Sequence, residues 1–316
     1  MTLKILIGVA GVGKDTYVNK NKGKNDLVLS SDDIRIELYN SLKEGNKHNG
    51  EIFEEMRKRV KENIDKYDNI YYNATNLSRK NRRGLYNEFK KYTDIESILI
   101  LKPLDIIINQ NNERNGQRRV PEDKIRQMYL SLEVPRINVD TDKITVVGDY
   151  NDFIDEINEN INKSHDNPYH KETIKEHIDK TIELSDNNTL KEIAKYHDLG
   201  KSVARTKANI TNDAKEFFLN NNGNYYQYMG HQKVSAIYYL LNNKEDINNN
   251  KYKQDVLEII LRHDDFINGI SDKKIKLNNI TEDMIKTLKE FLVIDKKSAL
   301  RSEYFEEYIK LLKGKD

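Results

Sequence analysis

The chain has no cysteine and no tryptophan among its 316 residues, and only four prolines. Without cysteine there is no disulfide framework and no thiolate metal site, so any bound ion must be held by histidine and carboxylate side chains. Net charge is also missing: 53 Lys and Arg stand against 52 Asp and Glu, leaving a formal +1. A global basic field for polyanions is therefore excluded, and nucleic acid would have to be met by a local patch or gripped at one end. No apolar run is long enough to cross a membrane and no secretory leader pattern is visible, so the expectation is a cytoplasmic protein with no membrane partner. There is no internal repeat and no low-complexity tail. What is present is apolar periodicity over a length that suits two domains, each able to bury its own core.

The sharpest feature is the turn from Gly8 to Thr16, which follows the apolar run Leu3 to Ile7. An apolar strand that breaks into glycines and meets a lysine ahead of a helix is the layout of a phosphate-binding loop. Gly8, Gly11 and Gly13 let backbone N–H groups curl around phosphates, and Lys14 adds a point charge at the helix start. ATP or another nucleoside triphosphate with Mg²⁺ is the implied ligand. Asp15 occupies the position where a serine or threonine is expected to hold Mg²⁺. Either Thr16 takes that part or Asp15 reaches the ion, directly or through water.

Strands are expected at Leu27–Ser30, Asn69–Asn73, Ser97–Leu101 and Ile144–Val147, with helices between them at Ile34–Leu42, Glu51–Tyr67, Arg79–Tyr92, Leu104–Arg114 and Pro121–Leu132. That alternation predicts an α/β domain with a mostly parallel, doubly wound sheet. Tyr150–Lys163 reads as a closing amphipathic helix, and the polar break at Ser164–Asn167 sets the boundary between a domain of residues 1–163 and one of residues 164–316. Beyond it the pattern is all-α, with helices expected at Thr173–Leu184, Leu190–Tyr196, Met229–Leu241, Gln254–Leu261, Glu282–Ile294 and Ala299–Leu312 and Asn-rich turns such as Asn220–Asn224.

The company kept by the glycine loop narrows its chemistry. Ser31, Asp32, Asp33 and Arg35 follow the second strand; Asn73 to Leu77 follow the third, with Arg82 and Arg83 behind them; Arg114 and Arg118 sit in a flexible basic stretch before Pro121. In this order, over roughly the first 135 residues, the chain resembles the phage-type polynucleotide 5′-kinases. The resemblance implies Asp32 as general base for a 5′-hydroxyl, Arg35 as the group that holds the terminal 3′-phosphate, Arg114 and Arg118 as lid arginines that clamp ATP, and Thr75 and Asn76 as contacts to the acceptor strand. Phosphoryl transfer needs alignment and charge compensation more than covalent help, which fits such a set. Asn73 and Ala74 depart from the family, which usually carries an aspartate there, and Asp15 is the available compensation.

The second half carries histidines at His177, His197, His231 and His263, with Asp198 beside His197 and Asp295 near the end of the last strong helix. His165 and His48 read as structural; His170 reads equally as a pocket residue or a cap. Histidines and aspartates spread over five helices are what a hard or borderline divalent ion would use when thiolates are absent. With the string His197-Asp198-Leu199-Gly200-Lys201, the segment from His177 to Asp295 resembles the HD superfamily of metal-dependent phosphohydrolases. By that resemblance His177, His197, Asp198 and Asp295 are the core ligands of a divalent transition metal. His231 and His263 would hold a second metal or the substrate phosphate, and Lys201 would position that phosphate. Asp264 and Asp265 stand as alternative carboxylates to Asp295.

Taken together, the two halves suggest a bifunctional enzyme that heals the ends of RNA, with DNA open as the alternative. A 5′-hydroxyl kinase would be joined to a hydrolase for 2′,3′-cyclic phosphate or 2′/3′-phosphate ends. Two other readings remain open at this point: a nucleoside or nucleotide kinase fused to a nucleotidase, and a nucleotide-gated regulatory protein whose histidine site only binds.

Overall fold

In the computed structural model the described residues are 1–208, 219–220, 223–265 and 270–301. They fall into two compact units, one made of Met1–Asp152 with Asn243–Asn250, the other of Phe153–Asn242 and the chain from Lys251 onward.

The first unit is built on five parallel strands, β1 (Thr2–Ile7), β2 (Asp26–Ser30), β3 (Asn69–Asn73), β4 (Asp94–Ile100) and β5 (Lys143–Val147), in the order β2-β3-β1-β4-β5. The strands are apolar on both faces: Leu3, Ile5, Leu6 and Ile7 of β1 and Ile70 of β3 have no exposed surface, because helices cover the sheet on either side. Helices α1 (Lys14–Asn21), α2 (Ser31–Tyr39), α3 (Leu42–Gly45), α4 (Asn49–Asn63), α5 (Arg79–Phe89), α6 (Leu104–Asn112) and α7 (Glu122–Ser131) link the strands. The continuous helix expected at Ile34–Leu42 is broken. Asn40 takes a left-handed backbone (φ 53) that ends α2, and the Ser41 side chain accepts from Glu44 N to cap α3. The free side of β5 is covered by Asn248, whose side chain accepts from Ile144 N and donates to Ile144 O, both at 2.8 Å. With β1 in the middle, the loops leaving the carboxyl ends of β1, β2, β3 and β4 converge, which is where an open α/β sheet takes its ligand.

The second unit is helical: α8 (Ile154–Ile161), α9 (Ile174–Leu184), α10 (Asn188–Tyr196), α11 (Lys201–Ala204), α12 (His231–Asn242), α13 (Lys251–Arg262), α14 (Asp272–Leu277) and α15 (Glu282–Ser298). A capping box of Thr173 and Glu176 starts α9, and Asn187 and Thr281 cap α10 and α15. Ile193, Ile237, Leu240, Ile260, Leu288 and Phe291 form its core, each without exposed surface. The amphipathic helix expected to close the first domain is the shorter α8, and it packs here. Tyr238 Oη donates to Glu156 at 2.6 Å and Asn160 Nδ2 donates to Ser202 O at 2.8 Å. The half is not wholly helical, since Thr206–Lys207 and Tyr226–Gln227 form a two-residue antiparallel pair. Of the helix expected at Ala299–Leu312, Ala299, Leu300 and Arg301 are non-helical and the remainder lies outside the described residues, as do 221 and 222 of the Asn220–Asn224 turn. Among the described residues no helix is long and apolar enough to cross a membrane.

Candidate functional site

In the first unit a cleft of about 1230 Å³ opens at the carboxyl ends of the strands and is lined by Lys14, Asp15, Asp32, Arg35, Thr75, Arg114 and Arg118 from the expected set. The loop between β1 and α1 is shaped by Gly11 (φ 88) and Gly13 (φ 105), conformations that a side chain would strain. Lys14 folds back over it, donating to Gly8 O and Val9 O at 3.0 Å each. Burial pushes its ammonium down to about 8, against the opposing pull of Asp15 and Asp32. Asp15 is held by Asn73, whose Nδ2 donates to Asp15 Oδ1 at 2.7 Å. The carboxylate and the amide thus face each other across the ends of α1 and β3, with Thr16 alongside. An acidic oxygen and a hydroxyl at the foot of a phosphate loop suit Mg²⁺, a hard cation that prefers oxygen ligands.

Asp32 and Arg35 lie one turn apart on α2. Arg35 Nη1 donates to Asp32 Oδ1 at 3.2 Å and Nη2 to Asn49 Oδ1 at 2.7 Å, and its buried Nε has no partner among the described residues. Across the cleft, Arg114 Nη1 donates to Arg118 O at 3.0 Å, so one arginine braces the turn that carries the other. Gln117, on the same 3₁₀ turn (Gly116–Arg118), accepts from Ser41 Oγ at 3.1 Å and Lys43 N at 3.3 Å, tying that turn to the start of α3.

Asn76 does not face the cleft as expected of an acceptor contact. Its backbone is left-handed (φ 47) and its amide donates to Leu6 O at 2.7 Å, so it fastens the turn after β3 to β1. Sequence reading missed Lys102, which follows β4 and lines the cleft with its Nζ 3.8 Å from the place a Cβ on Gly13 would take. The signal was available: β4 lies beside β1, and a lysine two residues past its end must point where the phosphates go.

Free Lys14 is charged below about pH 8 and loses its proton above it. Phosphate oxygens favour the charged form, so ATP binding above pH 8 takes up a proton, and the Kd for ATP rises with pH there by up to about tenfold per unit. Calorimetric titration in buffers of different ionisation enthalpy reads the proton uptake directly. Lys14→Arg, which stays charged, flattens the pH dependence.

In the second unit the six expected ligands come together in two adjoining groups, one of His177, His197 and Asp295 and one of Asp198, His231 and His263. Each histidine has its Nδ1 engaged. His197, His231 and His263 face the carbonyls of Ala194, Tyr228 and Ile260, three residues earlier in each case, at 2.7–2.9 Å, and His177 faces Ser298 Oγ and Glu172 Oε1 at 3.3 Å. In the neutral tautomer that leaves four Nε2 lone pairs turned inward. His231 and His263 meet Nε2 to Nε2 at 3.1 Å, His177 and His197 at 3.4 Å. Lone pairs at such distances repel unless a positive charge lies between them. A ring whose Nδ1–H is held by an oxygen acceptor while Nε2 stays free is the arrangement of metal-ligating histidine, so the donor set fits a divalent ion.

Asp198 sits between the groups. Its Oδ2 is 3.3 Å from His197 Nε2, 3.5 Å from His177 Nε2 and 2.7 Å from Lys201 Nζ, while Oδ1 is 3.2 Å from His231 Nε2. Burial alone would lower His197, yet Asp198 and Asp295 outweigh it and raise it to about 10. His197 and Lys201 overcome burial at Asp198, and His177 and His197 do so at Asp295, holding both carboxylates well below the usual range. The centre calls for a proton or a metal cation. Asp295 and Asp264 are not alternatives: Asp295 pairs with His177 at 2.9 Å, whereas Asp264 lies 3.5 Å from His231 and 3.6 Å from His263. Asp265 instead pairs with Arg262 and Lys274. Gly200 is needed here, because a Cβ on it would stand 2.1 Å from His231 O and push α11 off α12.

Two residues around the centre carry more than their sequence positions suggested. His165, read as structural, donates from Nδ1 to Glu172 O at 2.8 Å and turns Nε2 to within 3.4 Å of Lys201 Nζ. Burial and Lys201 depress it to about 2, so it stays neutral and accepts from that lysine. Glu172, which the sequence did not single out, takes His170 Nδ1 at 2.6 Å and His177 Nδ1 at 3.3 Å on one oxygen, and Lys171 N and Leu300 N at 3.0 Å each on the other. One carboxylate therefore orients two imidazoles. A glutamate five residues before a ligand has no fixed spacing that would announce this.

A family model described as an AAA domain matches residues 3–135. Together with the loop geometry, this makes the first unit a P-loop, nucleotide-binding α/β domain. No curated protein matches the chain. A solved chain described as "Structure of Pnkp1/Rnl/Hen1 complex" is similar at 19% identity and a TM-score of 0.28, over 38% of this chain and 45% of that one. The match thus spans less than half the length of the solved chain.

Proposed function

We propose that the protein heals RNA ends with two separate chemistries: an ATP-dependent 5′-hydroxyl kinase in the first unit and a metal-dependent hydrolase for 2′,3′-cyclic phosphate or 2′/3′-phosphate ends in the second, as in the polynucleotide kinases and HD phosphohydrolases that its motifs resemble. The observation that carries the kinase half is Asp32 opening into the same cleft as Lys14, its carboxylate steered by Arg35. Asp32 takes the proton of the attacking 5′-hydroxyl; Lys14, Lys102, Arg114 and Arg118 compensate the charge on the transferring phosphoryl group. Mg²⁺, held beside Asp15 and Thr16, would supply charge on the β- and γ-phosphate oxygens. Arg35 is placed to receive a 3′-phosphate, which favours a nucleic-acid end over a free nucleoside.

In the second unit the four inward Nε2 atoms with Asp198 and Asp295 would hold the ion or ions, and Lys201, fixed between Asp198 and His165, would offer its ammonium to a phosphate oxygen. Such an ion would polarise the phosphate and ease deprotonation of the attacking water. Water adds to phosphorus, the bond to O2′ or O3′ breaks, and the departing oxygen takes a proton.

The test is one RNA carrying a 5′-hydroxyl and a 2′,3′-cyclic phosphate, incubated with ATP and divalent metal. The wild type converts both ends. Lys14→Ala loses only the 5′ reaction and Asp198→Ala only the 3′ reaction. Loss of both activities in both variants defeats the two-site reading, and activity on free nucleosides equal to that on RNA defeats the polymer reading.

A further inference from the structure

The acceptor side of the cleft holds one feature that charge compensation does not use. Asn49 and Phe53 stand four residues apart on α4, so they share one face about 6 Å apart along the axis, and both line the cleft with Arg35 and Asp32. The core of α4 is carried by Ile52, Met56 and Val60, each with no exposed surface. Phe53 is only half-buried and adds nothing the core requires. Two hydrogen bonds and one helical turn separate it from the proposed reacting group: Asp32 accepts from Arg35, Arg35 donates to Asn49, and Phe53 stands one turn beyond Asn49 on α4. An open aromatic ring lining the same cleft as a buried guanidinium is a surface for a flat apolar face.

We infer that Phe53 is the stacking platform for the base of the terminal acceptor nucleotide. The inference rests on the kinase reading and adds to it what the acceptor must contain. With the 5′-hydroxyl at Asp32 and the 3′-phosphate at Arg35, the sugar lies along α2 and the base projects towards α4, one helical turn past Asn49. Stacking tolerates any base because each has a π-face, so the subsite demands a base without choosing among the four. Tyr17, the other aromatic side chain lining the cleft, belongs to α1 beyond the phosphate loop and is outside this series.

The test compares two 5′-hydroxyl oligonucleotides that differ only in whether the first residue carries a base or is abasic. The wild type shows a KM roughly tenfold or more lower for the base-bearing end, the size expected of one base–aromatic contact. Phe53→Ala makes the two KM values equal and leaves the KM for ATP unchanged; Phe53→Tyr keeps the preference, and Tyr17→Ala keeps it too. A binding readout needs no turnover: 2-aminopurine as the first base is quenched on binding wild type and not on binding Phe53→Ala. A wild type indifferent to the missing base, or a Phe53→Ala variant that weakens both substrates and ATP alike, overturns the platform alone. Failure to phosphorylate either oligonucleotide, with ATP still bound, overturns the kinase reading and the platform with it.

Discussion

On the hydrolase reading proposed above, alanine at Asp198 is expected to release a bound divalent metal and to abolish phosphate-ester hydrolysis, with ATP binding to the first unit unchanged. The argument is electrostatic. Four imidazole Nε2 atoms and the Lys201 ammonium surround this one carboxylate within 3.8 Å. Without it the inward lone pairs can still reach an ion, but only Asp295 remains to neutralise a dication on the His177 side, and Lys201 is left as an uncompensated positive charge pointing at the same place. Loss of an outer-shell partner at such centres costs about 10- to 100-fold in affinity or activity, and removal of the shared carboxylate exceeds that. The checks are metal content after dialysis against a defined Mn²⁺ or Zn²⁺ buffer, and release of phosphate from a 2′,3′-cyclic nucleotide. Asp198→Asn separates charge from shape: it fills the same space, retains the fold by circular dichroism and loses the metal as well. Full metal occupancy in either variant would show that Asp198 is not a ligand.

Much of this was legible in the residues because it depends on local order. A glycine turn after an apolar strand, carboxylates at strand ends and an adjacent His-Asp pair each keep their meaning wherever the rest of the chain goes, and Lys14, Asp15 and Asp32 in one place and the six expected metal ligands in another accordingly converge. What the sequence hid depends on long-range approach. Glu172 meets His177 only because the segment before α9 turns back across it, and Leu300 closes on the same carboxylate from 128 residues away. His165 acquires its partner Lys201 from α11. Asn76, which stands in a motif position, is diverted to the backbone of β1 by a left-handed turn that no periodicity reveals.

Arg82 shows the same limit at larger energetic scale. The sequence places it with Arg83 in a basic helix behind the third strand, among residues that resemble a kinase motif. The structure buries it completely in the first unit. Its Nε donates to Asp140 Oδ2 at 2.7 Å, Nη1 to Asn76 O at 2.7 Å and Leu77 O at 3.0 Å, and Nη2 to Glu133 O at 2.8 Å. Asp140, equally buried, is engaged on its other oxygen by Arg136 N at 2.7 Å. One guanidinium thus joins the turn after β3, the end of α7 and the turn before β5. Burial lowers its pKa, and Asp140 offsets this. Breaking a buried pair from one side leaves the other charge stranded, so Arg82→Met is expected to cost the first unit about 3–5 kcal/mol. Removing both charges in Arg82→Met/Asp140→Leu recovers part of that loss, because no isolated charge remains, but three backbone carbonyls still lack their donor. The transition of the first unit is recognised in a thermal scan as the one that ATP shifts upward. Its midpoint falls sharply in the single variant and partly returns in the double one. A single variant with an unshifted midpoint would mean that Arg82 is hydrated in solution and is free to serve the cleft.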